Sequence, residues 1–459
     1  SFLVDTLRSL FPGLEVTREG EGEGDFRLCA PKPALELAGR SPRVAATLAA
    51  MPEYAPHISR MAAARSADRG SLTRSAVEEL YGRRVSMSAS RMDKYKSCHF
   101  SYFMQYGLRA RARKSASFEA PEYGTFVHYV LEHVLQEWTP ARGGDGPAAL
   151  PDKALVERVV ARYVDEELGG LSEATPRFRY LFRRLLGTVT AVVRNAAEEL
   201  AASDFRPVAF ELGFGKGKDL PPVELTVDGI TVSLSGFVDR VDGWEKDGRL
   251  YLRVVDYKTG RKSFDLTDVW NGLGLQMLLY LFTLKGEGRT LWGREIVPAG
   301  VLYLPAREAL IQGSRSMTEA ERRREVDKAL RRRGLVLSEP EVLEAMEHPG
   351  PEGIRFLPVR VSVRSGAITG EALVSAERLG RLERHIGRVL RQIGEELAAG
   401  NIAADPFWKG SEHNACQYCD YAQACHFEEG RGDDRRRWLP TVSAQVFWQR
   451  LEEKPEEEQ

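Results

Sequence analysis

The hydrophobic and polar positions of the chain follow two different periods. Between residues 86 and 202, apolar side chains recur every three or four residues, a spacing typical of amphipathic helices. The pattern predicts an aromatic-rich helix with Ser90 as its N-cap and Gly107 at its end, followed by three further helices. Those three cover about residues 122–138, 153–168 and 178–202.

From Pro207 onward the period falls to two residues, which predicts β-strands whose side chains alternate between two faces. The predicted strands are 207–214, 223–227, 230–244 and 250–258. A helix over about 265–285 and an apolar strand over about 296–304 follow. Two more helices are predicted near 318–333 and 375–399. Hairpins followed by a crossover helix and a further strand define an α/β fold with a mixed central sheet flanked by helices.

Composition narrows the class of protein without naming it. The 459 residues correspond to two or three domains, and 43% hydrophobic with 29% charged residues is a globular balance. The formal net charge is -1, so binding to nucleic acid must come from local basic clusters. No apolar run approaches the roughly 20 residues of a membrane-spanning helix, and no secretory signal follows Ser1. We therefore expect a cytoplasmic protein that does not enter membranes.

Two predicted strands end in charged side chains whose chemistry is complementary. Asp239 ends the polar face of one strand, whereas Asp256 and Lys258, two residues apart, project from one face of the next. Carboxylates and an amine that converge are unfavourable unless they are solvated or bind a cation. Carboxylates suit magnesium or manganese, and a nearby lysine can stabilise charge on a phosphate. The pattern favours metal-assisted phosphodiester hydrolysis, although each group taken singly is an ordinary surface charge.

Four short motifs in a fixed order carry a family resemblance. They are Gly124-x-x-x-His128, Gly236-Phe237-Val238-Asp239, Asp256-Tyr257-Lys258-Thr259-Gly260 and Gln276-x-x-x-Tyr280. Together they resemble the motif set of RecB-type nucleases, which share a restriction-endonuclease-like fold. The resemblance implies that His128, Asp239 and Asp256 are metal ligands. It also implies that the carbonyl oxygen of Tyr257 contributes a ligand.

The same resemblance implies roles for other positions. Lys258 would be the catalytic lysine. Gln276 and Tyr280 lie one helical turn apart and would position DNA or the attacking water. Glu211, on the strand before Asp239, is a candidate additional acidic ligand.

Cysteine usage indicates a thiolate site rather than disulfides. Three of the five cysteines lie in one short segment. They are Cys416, Cys419 and Cys425. This spacing suits zinc or an iron–sulfur cluster, because both bind soft thiolates. The fourth ligand is not local: His413 and His426 are candidates for zinc, and Cys98 is the other cysteine in a motif-like setting. Cys29 has no such setting.

One distant cysteine followed by three clustered ones resembles the iron–sulfur staple of AddB-type subunits of AddAB helicase–nucleases. It also occurs in CRISPR-associated RecB-like exonucleases. The resemblance implies a four-iron four-sulfur cluster held by Cys98 and the three clustered cysteines. Because such a cluster closes a very long loop, its role would be structural rather than redox.

The resemblance also sets the expected domain organisation. A remnant of a helicase-like region is expected at 1–85, a RecB-like nuclease domain with the cluster at 86–430, and a C-terminal extension at 431–459. The implied activity is a magnesium-dependent deoxyribonuclease acting on DNA double-strand ends in recombinational repair. Its implied partner is an AddA-type helicase–nuclease subunit, and the strand cut would be the 5′-ended one.

Two other functions fit the same residues. One is a free-standing iron–sulfur exonuclease of the CRISPR-associated kind, which the length of the chain and the segment before residue 86 disfavour. The other is a non-catalytic DNA-end-binding scaffold, which the intact candidate ligands disfavour. Arg109, Arg111, Arg113 and Lys114 could line a phosphate track, but a solvated basic loop fits them equally well.

Overall fold

The computed structural model describes residues 2–13, 27–66, 69–111, 120–139, 150–167, 169–170, 176–260, 264–313, 316–350, 353–362 and 366–453. The helices are α1 (Phe2–Leu10), α2 (Pro31–Arg40), α3 (Pro42–Ala49), α4 (Ala55–Ser66), α5 (Arg74–Tyr81), α6 (Ala89–Ser97), α7 (His99–Tyr102), α8 (Ala120–Trp138), α9 (Lys153–Glu167), α10 (Pro176–Ala201), α11 (Leu266–Trp270), α12 (Gln276–Glu287), α13 (Arg289–Trp292), α14 (Glu319–Leu330), α15 (Pro340–Met346), α16 (Ala376–Ala398), α17 (Ala422–Cys425) and α18 (Ala444–Glu453), with a π-helix at Phe103–Gly107. The strands are β1 (Arg84–Met87), β2 (Arg206–Phe214), β3 (Val223–Val227), β4 (Ile230–Leu234), β5 (Gly236–Lys246), β6 (Arg249–Lys258), β7 (Glu295–Pro305), β8 (Arg333–Leu337), β9 (Arg360–Val361), β10 (Ile368–Thr369), β11 (Leu373–Val374), β12 (Phe407–Gly410), β13 (His413–Asn414) and β14 (Arg437–Trp438).

The chain divides into two compact units. One comprises Ser1–Gly70 with His426–Arg435, and the other comprises Ser71–Cys425 with Arg436–Gln459. In the smaller unit, Asp434 accepts two hydrogen bonds from the guanidinium of Arg69, at 2.7 and 2.9 Å. This paired contact joins the two chain segments of that unit. The assignment of residues 1–85 to a helicase-like region remains a prediction.

The larger unit is built on a six-stranded mixed sheet in the order β11-β8-β7-β6-β5-β2. Strand β5 pairs antiparallel with β2 and β6, whereas β6 runs parallel to β7. A parallel pair needs a crossover connection, and here α11 and α12 supply it. Helix α12 is apolar almost throughout and buries most of its residues because it packs on β6 and β7. The predicted mixed sheet with flanking helices is confirmed.

The predicted strand 230–244 is two strands in two different sheets. Strand β4 pairs with β1 and β3, and β5 then begins at Gly236 in the central sheet. The amide of Ser235 still donates to the carbonyl of Met87 at 3.1 Å, and beyond it the chain changes sheets. A Cβ at Gly236 would lie 2.9 Å from ring atoms of Phe214 and Tyr280, so this crowded position requires glycine. The alternation of polar and apolar residues runs through the break and gave no sign of it.

Two predicted helices also differ from the structure. The predicted helix 265–285 is divided into α11 and α12, because Gly272 and Gly274 adopt left-handed conformations with φ of +81° and +65°. Ser88, rather than Ser90, caps α6, since its hydroxyl accepts a hydrogen bond from the amide of Arg91 at 3.3 Å.

The charged helix predicted over 318–333 ends at Leu330, and its last predicted residue instead opens the strand β8. Four of the five residues of β8 are buried, although the chain just before it is rich in arginine. One of those arginines, Arg332, is buried in the interior, which explains why composition suggested an exposed helix here.

A buried ion-pair network joins α10 to the central sheet. Asp242 on β5 contacts the Nε atoms of Arg240 and Arg253, each at 2.9 Å. Glu199 on α10 accepts a hydrogen bond from Arg332 Nη2 at 2.8 Å. Burial alone would raise the pKa of Glu199, but the charges of the three arginines outweigh it and lower this pKa to about 2. Through these ion pairs the network fixes β5 and β6 against α10.

Replacing Glu199 should destabilise the fold strongly. Glu199→Ala leaves three buried guanidinium groups with one carboxylate, and breaking a buried pair in this way typically costs about 3–5 kcal/mol. Glu199→Gln should cost less, because its amide oxygen still accepts a hydrogen bond. Because the pKa of Glu199 is lowered on folding to about 2, its stabilisation is complete above about pH 4.3 and is lost as the pH falls toward 2. Urea unfolding at pH 7 and pH 3 measures both effects.

The exposed Glu157 on α9 provides the matched control, since its ion pair with Lys153 lies at the surface. Glu157→Ala should change the free energy of unfolding by less than about 1 kcal/mol. Equal urea midpoints for Glu199→Ala and Glu157→Ala would contradict the role assigned to the network.

Candidate active site

The predicted carboxylates lie where two neighbouring strands separate. Pairing between β5 and β6 ends at Arg240 and Val255, while β6 stays paired with β7 as far as Lys258. The amide of Tyr257 therefore donates to Asp239 Oδ2, at 2.8 Å, in place of a carbonyl of β5. Asp239 is 8% exposed and Asp256 is 2% exposed. The fork between the strands thus presents two buried acids beside backbone groups.

Helix α8 brings the predicted histidine to this fork. His128 Nε2 lies 3.0 Å from the carbonyl oxygen of Tyr257, and Nδ1 lies 3.5 Å from Asp239 Oδ2. The two ring nitrogens of His128 therefore face the Tyr257 carbonyl and the Asp239 carboxylate. Gly124, one turn earlier, faces the segment after β6, where a Cβ would lie 3.9 Å from Thr259 Oγ1. The structure therefore places His128, Asp239 and the Tyr257 carbonyl together.

Glu211 joins the same group from the opposite strand. Its Oε1 atom lies 4.0 Å from His128 Nδ1. His128, Glu211 and Asp239 each offer a ligand atom within 4.8 Å of the others. Glu211 has a φ of +44°, a left-handed conformation that is unusual for a non-glycine residue inside a strand. Such strain is typical of functional positions.

Sequence reasoning gave Glu211 only a secondary place. The available signal was an acid in the middle of an otherwise apolar strand, RPVAFELGF.

The carboxylates of this site repel one another, which contributes to raised pKa values of Asp239 and Glu211. Burial first, and then the charge of Asp256, raise the pKa of Asp239 to about 8. Burial and the charge of Asp239 raise the pKa of Glu211 to about 7. Both shifts disfavour the charged forms, and a bound divalent cation reverses that preference. Carboxylate oxygens and one imidazole are donors that magnesium and manganese accept, so the residues present fit such an ion.

Asp256 and Lys258 form an ion pair at the end of β6. Lys258 Nζ contacts Asp256 Oδ2 and lies 5.5 Å from the ring centroid of Tyr303. Asp256 lies outside the group of three ligand atoms, although its charge acts on Asp239. Its predicted role as a metal ligand therefore remains a prediction, as does that of the Tyr257 carbonyl.

The predicted Gln276 and Tyr280 pair is present on α12. Gln276 Nε2 donates to the hydroxyl of Tyr280 at 3.2 Å. Burial raises the pKa of Tyr280 to about 12. The Tyr280 ring packs against Gly236, three residues before Asp239, which places the pair beside β5. Its predicted role toward DNA or water stays a prediction.

The cysteines occupy two segments that contact each other. Cys98 is buried at the junction of α6 and α7. Burial, together with a smaller contribution from Cys425, raises the pKa of the Cys98 thiol to about 12. Tyr421 Oη donates to the carbonyl of Ala110 at 2.8 Å, which holds the clustered-cysteine segment near the end of the π-helix.

The basic segment after the π-helix is described only in part. Arg109 and Arg111 are exposed, and Arg109 has a left-handed φ of +55°. Arg113 and Lys114 lie outside the described residues.

With this geometry in view, comparison with known proteins is informative. The sequence profile of the PD-(D/E)XK nuclease superfamily matches residues 86–426. The chain belongs to this superfamily, which confirms the predicted nuclease fold.

The curated relatives carry a more specific name. Each is named as the B subunit of an ATP-dependent helicase/deoxyribonuclease, and the similarity of the chain to them confirms the predicted resemblance to AddB-type subunits. The relative from Desulforudis audaxviator is 34% identical over 389 residues, covering 83% of this chain and 33% of the relative. The Clostridium acetobutylicum relative is 31% identical over 392 residues, again 83% and 33%. The Thermoanaerobacter pseudethanolicus relative is 32% identical over 383 residues, 82% and 33%. The chain spans about a third of the length of these relatives.

Within the described residues, every helix is too short or too polar to cross a bilayer.

Removing the charge of Asp239 should stabilise the metal-free protein. An aspartate whose pKa rises on folding to about 8 binds more protons when folded. Stability therefore falls as the pH rises from about 4, the unfolded pKa, through 8. Asp239→Asn removes this loss, and its amide oxygen can still accept the hydrogen bond from Tyr257. In EDTA at pH 8 we expect a melting temperature a few degrees above wild type, with no difference near pH 4.

Magnesium should raise the melting temperature of wild type more than that of Asp239→Asn. The control is Asp228→Asn, at an exposed turn position with φ of +48° that asparagine adopts readily. A lower melting temperature for Asp239→Asn at pH 8 would show that Asp239 is not electrostatically strained.

Proposed function

We propose that this chain is the metal-dependent nuclease part of an AddB-type helicase–nuclease subunit. It hydrolyses phosphodiester bonds of DNA at double-strand ends in recombinational repair, cuts the 5′-ended strand and uses magnesium or manganese. The observation that carries the proposal is the convergence of His128, Glu211 and Asp239 at the fork, with Asp256 and Lys258 beside them. The name shared by the curated relatives supports the substrate and the helicase partner, and the chain corresponds to about a third of their length.

Each group at the fork has a defined part in this reaction. A ring nitrogen of His128 and the carboxylates of Glu211 and Asp239 would hold the cation, with Asp256 and the Tyr257 carbonyl as further ligands. When bound, a divalent cation lowers the pKa of a ligated water and offsets negative charge on the phosphate. The hydrogen bond from Tyr257 N–H to Asp239 Oδ2 keeps this carboxylate oriented.

Lys258 supplies the positive charge that the acids lack. Its ammonium contacts the carboxylate of Asp256 and lies 5.5 Å from the ring centroid of Tyr303. From this position the ammonium would donate a hydrogen bond to the attacking water or to a phosphate oxygen. Gln276 and Tyr280 position DNA or that water from α12.

Two alternatives are less well supported. The shared name of the relatives includes a helicase, which favours a component of a larger assembly over a free-standing exonuclease of the CRISPR-associated kind. A scaffold that only binds DNA would have no use for a strained Glu211 or for acids with raised pKa values. The partner is accordingly an AddA-type subunit, and the expected location is cytoplasmic.

Cleavage of linear DNA tests the active site directly. Asp256→Asn and Lys258→Met should each reduce magnesium-dependent cleavage by about 100-fold or more. The first removes a proposed ligand of the cation, and the second removes a positive charge beside the reacting phosphate. The matched controls are Asp228→Asn at an exposed turn and Lys246→Met, whose lysine pairs with Glu341 at the surface. Both controls should cleave at the wild-type rate. EDTA should abolish wild-type cleavage, and magnesium or manganese should restore it.

Cleavage by Asp256→Asn at the wild-type rate, in a preparation free of other nucleases, would remove Asp256 from the site. Cleavage that survives EDTA would remove the metal requirement.

We further propose that Cys98, Cys416, Cys419 and Cys425 hold a four-iron four-sulfur cluster. Two observations support this proposal: Cys425 acts electrostatically on the buried thiol of Cys98, and Tyr421, between Cys419 and Cys425, donates a hydrogen bond to Ala110. A cluster at this place would pin the segment after α16 to the helices that precede the nuclease core. That position makes it a structural staple, since closing a long loop restricts the unfolded chain most.

Loss of one clustered thiol should remove the iron. Cys419→Ser should lose both iron content and the broad absorbance at roughly 400 nm that iron–thiolate sites give. Its melting temperature should also fall. Cys29→Ser changes an exposed cysteine and should keep iron, absorbance and melting temperature. Stoichiometric zinc without iron in the wild-type protein, purified without oxygen, would contradict the cluster.

A further inference from the structure

Phe237 is an exposed aromatic side chain next to the candidate metal site. It lies two residues before Asp239 on β5 and is 50% exposed, although a ring of this size is normally buried. The residue between them, Val238, is only 2% exposed. Two residues of a strand span about 6.6 Å. A DNA strand with a phosphate at the metal site would therefore pass within reach of this ring.

A lysine rests on the same ring. Lys218 Nζ lies 3.5 Å from the centroid of the Phe237 ring and donates to the carbonyl of Gly236 at 3.4 Å. Lys218 is exposed, and a cation–π contact in water is weak, so its ammonium can leave the ring for a phosphate. The ring and the ammonium therefore lie at the surface, and their weak contact can be exchanged for a contact with DNA.

The backbone around the pair is shaped to hold it. Gly213 faces Phe237 across β2 and β5, and a Cβ there would lie 2.9 Å from Lys218 Cδ and 3.1 Å from Phe237 Cε1. The turn that carries the lysine is closed by two hydrogen bonds between backbone groups. The Leu220 amide donates to the Gly213 carbonyl at 3.0 Å, and the Gly215 amide donates to the Leu220 carbonyl at 2.9 Å. A side chain at position 213 would displace both groups.

Proteins that bind single-stranded nucleic acid combine these two elements: an exposed aromatic face for a base and a cation for the backbone. We propose that Phe237 stacks on the base beside the scissile phosphate and that Lys218 binds a phosphate of the same strand. The pair is a positioning element for single-stranded DNA, and it acts by holding the phosphate at the metal site. This inference rests on the proposed nuclease function.

Abasic DNA tests the stacking without changing the protein fold. Single-turnover cleavage is measured with the intact protein, magnesium and single-stranded oligonucleotides that carry one abasic site at successive positions. In wild type, the abasic site beside the cleaved phosphate should slow cleavage by about 10-fold, the scale of one stacked base. Phe237→Ala should slow cleavage of intact DNA by a similar factor and should be insensitive to that abasic site.

Phe237→Trp should restore both the rate and the sensitivity to the abasic site, whereas Phe237→Leu should restore neither. The control is Tyr180→Ala, which removes another exposed aromatic ring, 62% exposed on α10, and should behave as wild type. If the effects of Phe237→Ala and the abasic site multiply, the ring and the base act independently and the inference is overturned.

Lys218 is tested against a lysine in the same turn. Lys218→Met should raise KM several-fold with little change in kcat, and it should reduce the salt dependence of DNA binding by about one counterion. Lys216→Met removes the same charge from another exposed position of the turn and should have the smaller effect. Equal effects of the two variants would assign the contribution to general charge and would overturn the role of Lys218.

The outcomes separate this inference from the proposed function. If wild-type protein does not cleave DNA with magnesium, the proposed function fails and this inference fails with it. If wild type cleaves and Asp256→Asn does not, while Phe237→Ala keeps the wild-type rate and abasic sensitivity, only this inference fails.

Discussion

Repulsion among the carboxylates at the fork of β5 and β6 is the constraint on which the rest of the structure depends. Asp239 and Asp256 are buried at this fork, and Glu211, whose side chain is partly exposed, approaches Asp239 from β2. Without a cation, that arrangement holds protons at neutral pH, as the raised pKa values of Asp239 and Glu211 indicate. The fold keeps the acids together nevertheless, and a divalent cation is the ligand that such a cluster favours.

The energy that holds the acids together comes from the surrounding scaffold. Strand β6 keeps its parallel pairing with β7 beyond the point where β5 leaves it, so Asp256 stands on a supported strand. Behind the sheet, Glu199 and Asp242 tie α10 to three buried arginines. Helix α12 covers the parallel pair and presents Tyr280 to Gly236. These packed elements therefore stabilise the strained backbone conformation of Glu211, as is usual at a preorganised site.

Many residues of this site could be predicted from the sequence because they belong to short motifs. His128, Asp239, Asp256 and Lys258 could be named since each stands at a fixed offset from a glycine or another charged residue. The parallel crossover was also predicted, because the period changes from two to 3.6 between β6 and β7. The break at Ser235 could not be seen, since alternation continues across it while the hydrogen-bonding partners change. Strand β8 was missed because Arg332 is buried by ion pairs rather than solvated. The left-handed conformation of Glu211 is a property of the folded backbone, and no local sequence pattern announces it.

The most direct test of the central claim is the position of the metal. Crystals of the protein grown with manganese, measured at an X-ray wavelength where manganese scatters anomalously, locate the ion without reference to activity. We expect one anomalous peak within bonding distance of a ring nitrogen of His128 and of carboxylate oxygens of Glu211 and Asp239. A peak elsewhere, or none at a manganese concentration that supports cleavage, would contradict the account.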